Sequence, residues 1–174
     1  ASCRQARVAP QEAIVKRNNV EVARAEAKIL RQIRHPFLNR MHYAFQDPVR
    51  LCMVLTYLPG GDLFYRLKQE FTFPIERVRL YTAEIASALG YLHSQDIVFR
   101  DLKTENVLFD ADGHLCLTDF GFAKVLDREG FTHTFCGTPE YIAPEMLLMK
   151  VTRRGYDGAV DWWALGILVY EMLT

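Results

Sequence analysis

Phe99-Arg100-Asp101-Leu102-Lys103-Thr104-Glu105-Asn106 and, beyond a hairpin, Asp119-Phe120-Gly121 form the stretch whose reading decides this chain. Residues 107–109 and 114–118 read as two short strands around Asp110-Ala111-Asp112-Gly113. Gly113 supplies the positive φ that such a turn needs. The turn folds the strands back, so Asn106 at one end and Asp119 at the other can converge. Both are hard oxygen ligands. One carboxylate plus one amide, completed by phosphate oxygens, is a usual way of holding magnesium. Asp101 lies on the same loop and is placed to accept or orient a hydroxyl proton. Lys103 stands at i+2 from it, so in an extended loop it points to the same side. A point charge there stabilises a transferring phosphoryl group. Together these parts make a phosphoryl-transfer site on loops at strand ends.

Outward from this centre the pattern is mixed. Residues 12–34 read as a helix, with Val20, Ala23, Ala27, Leu30 and Ile33 on one stripe, stopped by His35-Pro36. Residues 41–46 and 51–57 read as strands joined by the turn Asp47-Pro48-Val49-Arg50. Pro59-Gly60-Gly61 is the most linker-like stretch and marks a boundary between residues 1–58 and 59–174. Residues 75–93 are the clearest helix, with Pro74 at its start and Val78, Tyr81, Ile85, Leu89 and Leu92 on one face. Residues 160–173 are apolar on nearly every side, as in a helix buried all round. Helix and strands first, then a mostly helical part, give an α+β fold in two lobes.

Composition bounds the function. The chain has 174 residues, with 21 Lys plus Arg and 21 Asp plus Glu; 50% of it is hydrophobic and 24% charged. That is a soluble globular composition, not a disordered or collagenous one. A net charge of zero argues against a dedicated nucleic-acid or anionic-membrane binder. Cys3, Cys52, Cys116 and Cys136 are scattered, without a CxxC pair, so reduced thiols in a cytoplasmic protein are expected, with the nucleus also open. Residues 1–12 carry no apolar signal core, and Val160–Leu173, interrupted by Asp161 and Glu171, is too short to span a bilayer. The opening at Ala1 and the stop at Thr174 are those expected of a piece of a larger domain. Asp110-x-Asp112-Gly113 lacks the third acidic position and closing Glu of a calcium loop and reads as a plain turn. Arg153-Arg154 reads as a solvated pair.

On these residues the chain resembles a eukaryotic protein kinase. Phe99–Asn106 resembles the catalytic loop, Asp119-Phe120-Gly121 the magnesium motif, and Ala143-Pro144-Glu145 the close of the activation segment. The Asp-Leu-Lys form is that of serine/threonine kinases. Gly60-Gly61-Asp62-Leu63-Phe64, Thr134-Phe135-Cys136-Gly137-Thr138-Pro139-Glu140-Tyr141 and Val160-Asp161-Trp162-Trp163 resemble the AGC group, which includes the Akt-type and serum/glucocorticoid-regulated kinases. So do His35-Pro36-Phe37-Leu38 and Phe122-Ala123-Lys124.

The resemblance implies a partial two-lobed kinase fold and transfer of the γ-phosphoryl of Mg-ATP to Ser/Thr of protein substrates. It implies Asp101 as the catalytic aspartate, Lys103 at the γ-phosphate, Thr138 bonded near both, and Asn106 and Asp119 on Mg2+. Leu55 takes the gatekeeper position. Thr56 to Leu58 form the hinge that meets adenine, Leu108 lies under the ring, and Asp62 reaches the ribose or a substrate arginine. Glu105 faces the substrate, so basic residues upstream of the target are expected. Thr134 is implied as the site of an upstream activating kinase, with Arg100 and Lys124 as the cations that receive its phosphate.

The departures are specific. Glu26 matches the helix glutamate that pairs with an ATP-binding lysine, but that lysine's position is Arg7, whose planar fork does not replace an ammonium in a shaped pocket. The glycine-rich loop that covers ATP belongs further upstream. Val22 stands where a phosphate-binding histidine is usual, Phe99 replaces Tyr or His, and Thr104 replaces Pro. Extra residues after Glu145 are assigned to a surface loop, Met149 to Gly155, and Glu145 itself is expected to be buried without its usual arginine. Little activity is therefore expected of residues 1–174 alone. A catalytically inactive pseudokinase or truncated interaction module stays open as the alternative; a small-molecule kinase fits poorly, because the activation segment belongs to protein-substrate enzymes.

Overall fold

The computed structural model describes residues 4–10, 20–46 and 50–174. Strand β1 (Arg4–Pro10), helix α1 (Val20–Gln32), β2 (Met41–Gln46) and β3 (Arg50–Thr56) come first. The strands form one antiparallel sheet in the order β1-β3-β2, with Arg7 opposite Met53 and Phe45 opposite Cys52. Helix α1 turns Ala27 and Leu30 inward, with Ile33 just beyond its end also buried, as their spacing requires, while Val22 lies on its exposed side. Of the expected helix over 12–34, residues 12–19 fall outside the described residues, as do 47–49 of the expected turn.

A helix not foreseen from the sequence follows, α2 (Leu63–Glu70). Its start is set by Asp62, whose Oδ1 accepts the Tyr65 N–H at 2.7 Å. Helix α3 (Ile75–His93) runs as read and buries Val78, Tyr81, Ile85, Ala88, Leu89 and Leu92. Leu89 and Leu92 are fully buried, each worth about 1.5–3 kcal/mol relative to exposure. Then come β4 (Ile97–Val98), a 3-10 turn at Thr104–Asn106, and the hairpin β5 (Val107–Phe109) with β6 (Leu115–Leu117). Strand β7 (Lys124–Val125) returns to pair with β4. A second 3-10 turn, Pro139–Tyr141, leads to α4 (Pro144–Thr152) and α5 (Ala159–Leu173). The main core runs from Ile29 and Leu30 of α1 through Leu38 and Met53 into α3, β5, β6 and α5. Glu84 of α3, 4% exposed, fixes the hairpin: its carboxylate accepts from the Leu115 N–H at 2.9 Å and from His114 Nδ1 at 2.6 Å.

Three expectations are corrected. The loop assigned to Met149–Gly155 is helical as far as Thr152, because Met146 and Met149 stand one turn apart and both enter a second core cluster with Tyr156 and Val160. Arg153, with φ 56°, ends that helix in a left-handed turn. Helix α5 is not buried all round. Val160, Ala164, Leu168 and Met172 face inward, while Trp162, Trp163 and Tyr170 are 43%, 47% and 66% exposed. Apolarity on all sides raises the mean but does not choose a face; contact with α3 and the Pro139–Tyr141 turn does. Glu145 is only half-buried, so its charge stays in reach of water. The fold is α+β: a small sheet with one helix, then a mostly helical part. No helix of the described residues is long and apolar enough to cross a membrane.

Candidate active site

The loop Phe99–Asn106 leaves β4 through a residue with positive φ, Arg100 at 70°. Arginine has no intrinsic preference for that conformation, so something must hold it. Asp161, at the start of α5 and 1% exposed, does. Its Oδ2 accepts the Phe99 N–H at 2.9 Å and its Oδ1 the Arg100 N–H at 2.8 Å. His93 Nε2 lies 2.8 Å from Oδ2 and closes the carboxylate on its third side. Phe99 is fully buried edge-on to Phe120, with ring centroids 5.3 Å apart, so the loop and the Asp119-Phe120-Gly121 segment share one wall.

Asp101, the next residue, is 6% exposed and is held by three side chains. Thr138 Oγ1 donates to Oδ1 at 2.8 Å, and Asn106 Nδ2 donates to Oδ2 at 2.9 Å. Lys103 Nζ lies 3.2 Å from Oδ2 and donates to Thr138 Oγ1 at 3.1 Å. The four side chains make one closed network in a nearly dry setting, where charge-assisted bonds are strong and a misplaced group is costly. Sequence spacing alone implied Asp101, Lys103 and Asn106 together; it is the fold that brings in Thr138 from the far side.

Asn106 Nδ2 also donates to the Asp101 carbonyl at 2.8 Å. With its amide hydrogens so used, its Oδ1 is the remaining acceptor. Thr118 bonds back to the Asn106 carbonyl through its N–H at 2.9 Å and its hydroxyl at 3.2 Å. That double tie carries Asp119 to the side of Asn106, as the hairpin reading requires. Asp119 is left-handed at φ 59°, and its Oδ1 accepts the Gly121 N–H at 3.2 Å. Among the described residues no three His, Cys, Asp or Glu side chains gather as a metal cluster. A cation here would rest on an amide, a carboxylate and oxygens brought by its ligand.

Thr134, exposed on the segment after β7, also has the neighbours expected of it. Lys124 Nζ donates to its Oγ1 at 3.3 Å, and Arg100 Nη1 to its carbonyl at 3.5 Å. Arg100 Nε is fixed by the Phe122 carbonyl at 2.7 Å.

The remaining candidates lie on separate elements, and of them only Thr56 and Leu58 border one hollow among the described residues, together with His35, Leu38 and Cys116. Thr56 ends β3 and bonds His42 through its hydroxyl at 3.0 Å, while Leu55 and Leu58 turn into the core. Leu108 is half-buried on β5 and bridges to Asp62. Asp62 spends one oxygen on the α2 cap, a use the sequence reading did not anticipate. Glu105 is exposed beside the buried Thr104, whose hydroxyl reaches its Oε2 at 3.2 Å. Glu26 is 6% exposed on α1. Arg7 takes its place on β1; its side chain lies outside what is described.

A model of the protein kinase domain matches residues 6–174. The chain belongs to the protein kinase family. Its curated relatives include Protein kinase 2 of Dictyostelium discoideum, 52% identical over 97% of this chain. Serine/threonine-protein kinase Sgk2 of Rattus norvegicus and Sgk1 of Fundulus heteroclitus are each 50% identical over 96% of it. The chain spans 34%, 45% and 38% of those proteins respectively. The family expected from the catalytic-loop and magnesium motifs is thus shown, and with it the partial kinase fold.

Within this kinase domain the sequence reading passed over four groups. Asp161 entered only as part of a motif and as a break in an apolar run, though an acid at the start of an apolar helical run signals a carboxylate that must find donors. Tyr141 donates to Glu171 and receives the Thr104 N–H at 3.4 Å, tying the second 3-10 turn to α5 and to the catalytic loop. Burial first, and Glu171 second, push the Tyr141 phenol far above its ordinary value, so it stays a neutral donor. Glu84 and Tyr156 had no local signal at all.

Proposed function

We propose that this chain is the central part of an AGC-type serine/threonine kinase domain, which transfers the γ-phosphoryl group of Mg-ATP to Ser/Thr of protein substrates. The observation that carries the reading is the network on Asp101. Both of its oxygens are engaged by Thr138, Asn106 and Lys103, yet a carboxylate has about four acceptor positions, so one stays for a substrate hydroxyl. Asp101 orients that hydroxyl and receives its proton. Lys103, held by Thr138, directs its charge at the phosphoryl oxygens. Asn106 Oδ1 and the Asp119 carboxylate are the residues that would hold magnesium, which supplies charge neutralisation of the phosphates. Hydrogen bonds within the site fix these groups beforehand, so little reorganisation is left for the reaction.

Thr56, Leu58 and Leu108 line the nucleotide side, with Glu26 on α1 behind it. Glu105 gives the substrate side a negative charge and favours basic residues upstream of the target. An upstream kinase acting on Thr134 places a phosphate between Arg100 and Lys124. The division between residues 1–58 and 59–174, and a cytoplasmic or nuclear setting in keeping with the free thiols of Cys52, Cys116 and Cys136, belong to the same reading.

One observation favours a second reading. Sequence spacing from Glu26 assigns Arg7, which lies on β1 opposite Met53, to the ATP-lysine position, and an arginine there suits a non-catalytic, partner-binding domain. Two measurements decide. Titration with a fluorescent ATP analogue should show magnesium-dependent binding that Asp119→Asn removes. Transfer of labelled γ-phosphate to a basic Ser/Thr peptide, by the longer protein that contains this segment, should vanish in Asp101→Asn. Binding without transfer supports the pseudokinase reading; neither binding nor transfer refutes the nucleotide site itself.

A further inference from the structure

Tyr156 lies between α4 and α5, is 2% exposed, and reaches the activation segment twice. Its backbone exchanges two hydrogen bonds with Thr132, N–H to carbonyl at 2.9 and 3.0 Å. Its hydroxyl donates to the Thr134 carbonyl at 2.5 Å and accepts from Arg100 Nη1 at 3.1 Å. Its ring is packed among Val98, Met146 and Val160. A phenol has one hydrogen to give, and here it goes to the segment; the lone pair goes to the guanidinium. Burial pushes the phenol up to about 12 despite the opposing Arg100 charge, so the donor persists across the physiological range.

We propose that the Tyr156 hydroxyl is a positioning group that latches the backbone at Thr134 to Arg100, and so to the catalytic loop, without any phosphate. Thr134 is exposed; its hydroxyl meets Lys124, and its carbonyl meets Arg100 Nη1 directly at 3.5 Å, a long bond that leaves room for a closer donor at that carbonyl. The phenol fills that role from the core side. A phosphate on Thr134 would recruit Arg100 and Lys124 from the solvent side and do the same work by a second route. The latch takes from the proposed function only that Thr134 is the modified residue.

The test is amide hydrogen exchange on the 174-residue chain, parent against Tyr156→Phe, in unmodified form and with phosphothreonine installed at 134. Phenylalanine keeps the ring and removes the bond to carbonyl and guanidinium together. Exchange over residues 132–137 should rise about tenfold in the unmodified chain and by about twofold or less in the phosphorylated one, with α3 unchanged. A rise under twofold in the unmodified chain overturns the latch, as does an equal rise throughout α3 and α5, which marks a merely structural ring. A tenfold rise that phosphothreonine leaves undiminished keeps the latch and refutes instead the placing of the phosphate between Arg100 and Lys124. If Tyr156→Phe does not fold, Arg100→Gln carries the test with the ring intact: the same segment must loosen, and unchanged exchange overturns the proposal.

Discussion

Replacing Asp161 by Ala should destabilise the chain more than any substitution at an exposed carboxylate, and the structure sets the size. Two backbone donors, the buried Phe99 N–H and the part-buried Arg100 N–H, lose their acceptor. Each orphaned donor costs about 1–3 kcal/mol, so about 2–6 kcal/mol is at stake. Release of Arg100 from φ 70° returns about 1 kcal/mol of strain, since the loop is then free to relax. The net loss is about 1–5 kcal/mol, against a total stability of about 5–15 kcal/mol for an ordinary domain. With a urea slope of about 2 kcal/mol/M, the unfolding midpoint should fall by about 0.5–2.5 M. Asp161→Asn should fall between parent and Ala, because its one carbonyl serves one N–H while its amide hydrogens oppose the other. His93→Ala removes a single bond at a side chain 20% exposed and should cost about 1 kcal/mol. The assay is urea unfolding followed by far-ultraviolet circular dichroism. A midpoint for Asp161→Ala within about 0.2 M of the parent would refute the reasoning. Equal losses for His93→Ala and Asp161→Ala would show that the ion pair, and not the backbone anchor, carries the stability.

The Glu84 contact raises the pKa of His114 above its ordinary value, first by hydrogen bonding and then by charge. A raised imidazole stabilises the fold fully below about pH 6.5 and loses that contribution as pH rises through its folded value. Glu84→Gln should bring the NMR titration of His114 back toward 6.5; an unmoved titration would refute the coupling. Gly137 has φ 108°, and an added Cβ would stand 2.9 Å from the Arg100 carbonyl oxygen. Gly137→Ala should therefore cost about 1–3 kcal/mol, read by the same urea assay, and a loss under about 0.5 kcal/mol would show that the segment is free to shift. Burial pushes the Cys116 thiol up to about 11. At pH 8 in iodoacetamide, peptide mass spectrometry should find Cys116 unlabelled until the chain is unfolded by urea; labelling at the unfolded rate would refute its burial.

Much of the site was legible because its residues lie close along the chain. Asp101, Lys103 and Asn106 share one loop, and a two-stranded hairpin is a short-range structure that returns Asp119 beside Asn106. The α3 stripe was legible for a similar reason: Val78, Tyr81, Ile85, Leu89 and Leu92 repeat at the helical period and all face the core. Helix α2 escaped notice because it is only eight residues long with its apolar residues bunched at the start, and only Leu63 of them is buried. Its signal is Asp62, a residue type that caps helix N-termini.

From local order alone the sequence settled the family and the α+β class, and it singled out Asp101, Lys103 and Asn106 as neighbours on one loop. These are properties of local order, and local order survives in any single chain read from end to end. Only the tertiary structure decided which carboxylate is an anchor and which faces solvent. Asp161 and Glu145 look alike near the starts of neighbouring helices, yet one is buried under two backbone N–H groups and the other is half in water. Only the fold chose the inner face of α5, made Glu84 a brace for the hairpin, and brought the Tyr156 hydroxyl to Arg100 and Thr134. Those roles depend on partners distant in sequence, and no period or spacing along the chain encodes which donor will arrive at a given acceptor.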